Sequence, residues 1–352
     1  MTARRPIRQR FGALVSQVWD RAVLLQLSSV AVDKPPLLDL SPVDPDAFWA
    51  ASTVASPRRV WIEREREPID GPDWREVELV GESEGPGNHA ASRRLRATAH
   101  LRRSGPPAPL VLLVHGYAIP FTGFDRWLAW RMRRRGAQTV RMELPFHLRR
   151  SVPGENSGDH YFSIDPAHTR AVVRQSVEDV AAVVEWARHE LTADVRVLGT
   201  SLGGLISLLL TALVEVDLSL AVAPLCDPPA SFTERPPGAM QHYLGMVGKG
   251  DGFWGPDRAT AGSALAGALA PLVVHNLTPM TPRDRIAIVR PALDLVVGAA
   301  PMDELAAAWD IESWRYPQGH ITVMYADGLP RRIVDHLTSP LIDAPGSLAL
   351  AG

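Results

Sequence analysis

Residues 74–103 alternate apolar and polar positions in two stretches, WREVELVGES and RRLRATAHLRR. A period of two predicts an antiparallel strand pair with one solvated face. The pattern then changes. LVLLVHG, from residue 110, is a continuous apolar run, as expected of a strand covered on both sides. Beyond it, apolar runs alternate with stretches of helical spacing. GFDRWLAWRMRRRG reads as a helix stopping at Gly136, and AQTVRMELP as a strand. A long helix follows from about Pro166 to Leu191, with Val172, Val173, Val180, Val183, Val184 and Trp186 on its apolar stripe. DVRVLG, LSLAVAPLC, RIAIVRP and IESWRYP read as further strands, with helices GLISLLLTALV and PMDELAAAWD among them. This order predicts an α/β fold: a mostly parallel twisted sheet with helices on both faces and antiparallel strands at its N-terminal end.

Two regions stand outside the alternation. Residues 1–75 read as a helical and irregular extension ending in REREPIDGPDW, ahead of a main domain at 76–340 and a tail at 341–352. Residues 228–282 lack strand character and are rich in Pro, Gly, Met and aromatics. Such an insertion between two strands reads either as a cap over the site or as ordinary helical packing on the sheet.

Composition narrows the function. A net charge of −2 lacks the basicity of a nucleic-acid binder. The one cysteine, Cys226, permits no disulfide within the chain, which suits a reducing, cytoplasmic setting. MTARRPIRQR followed by AVLLQLSSVAV resembles a signal segment and gives export as the alternative. Gln17, Asp20, Arg21 and Gln26 interrupt the apolar pattern, so an amphipathic helix packed on the body is expected. Its basic, amphipathic character also allows contact with a membrane surface. His160, Asp165 and His168 match no zinc signature, and neither a metal nor a cofactor is expected.

The chemistry begins at VRVLGTSLGG, residues 196–205. Gly199-Thr200-Ser201-Leu202-Gly203 is a G-x-S-x-G sequence with an apolar strand before it and a helix after it, the context of a nucleophile elbow. A serine hydroxyl needs a base, and the base needs an orienting carboxylate. His320, after the last strand, is the candidate base. Asp294, in the loop after RIAIVRP, is the favoured acid. Asp303 takes that role if DLVVG is itself the strand, and Asp227 is a third choice. The oxyanion hole draws one amide from Leu202 and the second from Tyr117, in the loop after LVLLVHG.

With HGYA, GTSLGG, an aspartate after the penultimate strand and GH after the last, the chain resembles the α/β-hydrolase superfamily. MELPFHLRRS and PRDRIAIV are similar to its dienelactone-hydrolase-like members. The resemblance implies a serine hydrolase that cleaves a small-molecule carboxylic ester. Acyl transfer on the same three residues, or a non-catalytic binding protein that keeps the fold, are the competing readings.

Substrate contacts have two candidate sources. His147, Arg149 and Arg150 leave a strand at the functional edge and either face the pocket or, in the case of an arginine, pair with the loop PGENSGD. Met240, Tyr243, Phe253 and Trp254, within 228–282, suit an apolar acyl group. Oligomeric state is not legible in the sequence.

Overall fold

The computed structural model describes residues 12, 14–22, 39–54, 58–66, 73–86, 89–163, 165–233 and 258–341. Its strands are β1 (Val60–Arg66), β2 (Trp74–Glu82), β3 (Arg94–Arg102), β4 (Leu110–Val114), β5 (Gln138–Glu143), β6 (Val195–Thr200), β7 (Leu218–Val222), β8 (Ile286–Pro291) and β9 (Glu312–Tyr316). They form one nine-stranded sheet in the order β1-β2-β3-β5-β4-β6-β7-β8-β9. The pairs β1–β2, β2–β3 and β3–β5 are antiparallel, and every other pair is parallel.

The continuous apolar runs have the expected cause. Along β4, Leu110, Leu112 and Val114 enter a core shared with α4 (Pro166–Glu190) and α5 (Leu202–Leu213). Val111 and Leu113 enter a second core on the opposite face, with Leu128 and Met132 of α3 (Gly123–Arg133) and Ile333 and Leu337 of α9 (Leu329–Thr338). Alternate side chains of one strand therefore serve two cores. Truncating fully buried Leu112 to alanine would cost about 2–5 kcal/mol.

The antiparallel end departs from expectation in two ways. β1 lies inside the stretch read as irregular. Of its residues only Val60 is buried, so no apolar alternation announces it. Backbone pairing with β2 and cross-strand ion pairs hold it: Arg66 with Glu78, Arg94 with Glu63, and Arg103 with Glu65 at 2.7 Å. A charged edge also discourages pairing with another chain. The outer face of β2 and β3 is less solvated than the alternation suggests. Glu78 and His100 are buried there, paired with Arg149 at 2.9 Å and Glu76 at 2.9 Å respectively.

Near the N-terminus, residues 14–22 form helix α1. It packs on the body, but the face turned inward is polar. Ser16 and Asp20 are buried while Leu14, Val18 and Trp19 are more than half exposed. The described parts of 228–282 pack as part of the body. After α6 (Pro228–Thr233) and α7 (Arg258–Ala268), Leu265, Leu269, Leu272 and Val274 join the α4–α5 core. Met240, Tyr243, Phe253 and Trp254 lie outside the described residues. No helix among the described residues is long and apolar enough to cross a membrane.

Candidate active site

β6 ends at Thr200 and α5 starts at Leu202, leaving Ser201 alone to reverse the chain. Its backbone sits at φ 54° and ψ −113°, a strained conformation for a residue with a side chain, costing about 1–3 kcal/mol. Backbone hydrogen bonds hold it there. Ser201 N–H donates to Val222 O at 2.8 Å, and Ser201 O accepts from Leu205 N–H at 3.1 Å. The turn is too tight for side chains on either side. A Cβ on Gly199 would lie 2.1 Å from Gly203 O, and one on Gly203 would lie 2.0 Å from Val114 O.

His320, in the loop after β9, brings Nε2 to 2.9 Å from Ser201 Oγ. Its Nδ1–H donates to Asp294 Oδ2 at 2.8 Å. Asp294 leaves the end of β8, and its other oxygen accepts from Val296 N–H and Val297 N–H at 2.8 and 2.9 Å. Burial works against charge on both partners. For Asp294, attraction to His320, the hydrogen bond between them and the two backbone amides outweigh that burial and hold the carboxyl below its ordinary value. For His320, burial is outweighed by the charge and hydrogen bond of Asp294 and by the charge of Asp20, so the imidazole sits above its ordinary value. Above that raised value the pair is a carboxylate and a neutral imidazole with the proton on Nδ1, leaving Nε2 to accept from the serine.

Three strand ends therefore converge: β6 supplies a hydroxyl, β8 a carboxylate and β9 an imidazole. Asp303, the other candidate acid, is engaged elsewhere, with Arg290 at 2.5 Å and Arg315 at 3.3 Å. Asp227 accepts from Ala230 N–H at 2.8 Å at the start of α6. Beside the serine, Leu202 opens α5, where helix geometry leaves amides without an internal partner. The loop after β4 passes close by, since a Cβ on Gly116 would lie 3.5 Å from Ser201 Cβ. Tyr117 follows directly.

No protein-family model and no curated protein matches the sequence. Solved structures do match the fold. Acetyl xylan esterase 1 from Thermoanaerobacterium sp. JW/SL YS485 superposes with a TM-score of 0.64 at 16% identity, over 90% of this chain and 99% of that one. The acetyl xylan esterase from Paenibacillus sp. R4 gives 0.62 at 14% identity, over 89% and 98%. The chain has the α/β-hydrolase fold.

In the stretch PFHLRR, His147, Arg149 and Arg150 each have partners within the protein. His147 is fully buried. Its Nδ1–H donates to Pro145 O at 2.8 Å and its Nε2 accepts from Ala118 N–H at 3.0 Å. His115 is placed in the same manner, Nδ1–H to Gly116 O at 2.7 Å and Nε2 accepting from Leu144 N–H at 3.1 Å. Each histidine thus reaches across to the other's loop, and together they fasten residues 115–118 to 144–147. Burial drives the His115 pKa down to about 4 and that of His147 well below its ordinary value, so both are neutral braces.

The arginines do not pair with the loop PGENSGD. Arg150 is fully buried, donating to Asp179 Oδ2 and Glu143 O at 2.8 Å each, to Ser83 Oγ at 3.0 Å and to Ser92 O at 2.6 Å. It ties β5 and α4 to the segments flanking β2 and β3. Arg149 is spent on Glu143 and Glu78 at 2.8 and 2.9 Å.

Sequence reasoning missed one residue next to the site. Asp20 of α1 is fully buried against the loops that bear Asp294 and His320. Its only signal was a charge breaking an apolar pattern.

Proposed function

We propose that the protein is a serine hydrolase that cleaves carboxylic esters through an acyl-enzyme. The Ser201–His320–Asp294 hydrogen-bond chain is the observation that supports it. In this reading His320 Nε2 takes the Ser201 proton as Oγ attacks the ester carbonyl. The amides of Leu202 and Tyr117 hold the developing oxyanion, and Asp294 stays ionised beside the imidazolium. The tetrahedral adduct collapses, His320 protonates the departing alcohol, and water, deprotonated by the same imidazole, releases the acid. The two esterases of the same fold are consistent with this chemistry.

The acyl part of the substrate is proposed to be small or lipid-like and apolar. Tyr117 packs against Phe162 at 5.0 Å, and Phe162 against Phe232 at 5.5 Å between ring centroids, so the residue proposed to supply the second oxyanion amide sits in an aromatic cluster, which supports an apolar acyl group. A fluorophosphonate probe followed by a panel of esters of graded acyl length tests the reading. Labelling that vanishes in Ser201→Ala, with ester turnover lost in parallel, is expected. Labelling that survives the substitution would place the nucleophile elsewhere.

A further inference from the structure

The Asp20 carboxylate is surrounded by backbone amides. Its Oδ2 accepts from His320 N–H at 2.9 Å and from Leu295 N–H at 3.2 Å, and its Oδ1 from Ile321 N–H at 3.2 Å. One of these amides belongs to the candidate base, and another belongs to the residue following the candidate acid. One turn earlier on the same helix face, Ser16 Oγ accepts from Thr322 Oγ1 at 2.7 Å, and Thr322 Oγ1 in turn accepts from Gly319 N–H at 3.1 Å. The glycine in GH answers to the same contact, because a Cβ on Gly319 would lie 2.6 Å from Asp20 Oδ2. α1 is therefore seated by its polar residues on the two loops carrying Asp294 and His320, with Leu14, Val18 and Trp19 turned outward.

We propose that Asp20 is a positioning residue for the hydrolase reaction, its carboxylate fixing the main chain of the His320 loop against that of the Asp294 loop. The proposal rests on the reading of Ser201, His320 and Asp294 as the reacting groups. A carboxylate can satisfy three converging N–H groups, whereas an amide presents one oxygen and turns its own N–H₂ toward the remaining donors. Loss of the carboxylate frees both loops, and a displacement of the imidazole by about 1 Å costs on the order of 10²-fold in rate. The ionised groups acting on the imidazole are Asp294 from the loop after β8 and Asp20 from α1, and both favour the imidazolium.

Asp20→Asn and Gly319→Ala in the full chain provide the test, with Ser201→Ala as reference. Fluorophosphonate labelling, steady-state kinetics on one ester and thermal melting are read on each. If wild type is labelled at Ser201, Asp20→Asn is expected to lower kcat and the labelling rate by tenfold or more, with KM changed less than about threefold. The acid limb of kcat/KM should also move to lower pH, since the imidazole loses one of its two negative neighbours. Gly319→Ala should lower kcat in the same way, and the double variant should be less damaged than the product of the single effects. A folded Asp20→Asn protein with wild-type labelling rate and an unmoved acid limb would overturn the proposal. Absence of labelling in wild type would instead overturn the serine-hydrolase reading beneath it.

Discussion

Lowering the pH should unlatch the brace between the 115–118 and 144–147 loops, and the size of the effect follows from His115. In the folded protein its imidazole is neutral, with the pKa pushed down to about 4 by burial, against 6.5 for an ordinary histidine. Protonation would place a hydrogen on Nε2, facing the Leu144 N–H it now accepts from at 3.1 Å. Between these two values the unfolded chain binds a proton that the folded chain does not, so stability falls as pH falls. At about 1.4 kcal/mol per pH unit, moving from pH 6.5 to pH 4.5 removes about 2–3 kcal/mol through His115, and His147 acts in the same direction. Other groups behave differently. Asp125, raised to about 6 by burial, gains stability in this window and partly masks the loss. His320 is raised, so its contribution is intact below pH 6.5 and fades only above it, whereas Asp294 is lowered and titrates below the window. A comparison of two proteins removes these contributions. His115→Asn keeps a donor for Gly116 O and has nothing to titrate. The variant is less stable at every pH, because Leu144 N–H loses its acceptor, so the slope and not the level is diagnostic. Urea unfolding at pH 7.0, 6.0, 5.0 and 4.5 should show wild type losing about 2–3 kcal/mol more than His115→Asn across the series. Parallel profiles would refute the description of His115 as a buried neutral brace.

Three further outcomes are expected. Asp294→Asn should lower ester turnover by about 10⁴-fold, whereas Asp303→Asn, which loses only pairs with Arg290 and Arg315, should leave turnover within about twofold and cost 1 kcal/mol or less in urea unfolding. Arg150→Ala leaves the Asp179 carboxylate buried and unpaired, so unfolding should show a loss of about 3–5 kcal/mol, with KM for anionic and neutral esters shifted equally. The acid limb of kcat/KM should lie above pH 6.5, because the base works only when neutral and His320 is held above its ordinary value; a limb below pH 6 in wild type would contradict the Asp294–His320 geometry.

The sheet was legible from β2 onward because burial on two faces writes continuous apolar runs, as in LVLLV, and these survive any detail of the loops. Ser201 was legible for a related reason: a turn this tight excludes side chains at fixed offsets, so Gly199 and Gly203 mark it in the sequence. β1 was not, since an edge strand held by backbone pairing and exposed ion pairs needs no apolar pattern. The arginines of PFHLRR were read one step short. Their position at a strand end was right, but sequence does not show that Asp179 and Glu78, distant along the chain, already claim them. Asp20 was visible only as an interruption, because its partners are backbone amides, which carry no residue identity to recognise.

The link between Asp20 and His320 joins residues 300 positions apart. α1 leaves the ribosome 300 residues ahead of the loop it grips. At roughly 5–20 residues per second, about 15–60 s separate the synthesis of the two. Until Leu295 is made Asp20 has none of the amides it holds in the folded protein, and the sheet strands from β2 to β8 can pair without it. The Asp20–His320 contact can form only after β9 is made, so a polypeptide stalled before β9 carries Ser201 and Asp294 without the imidazole that stands between them.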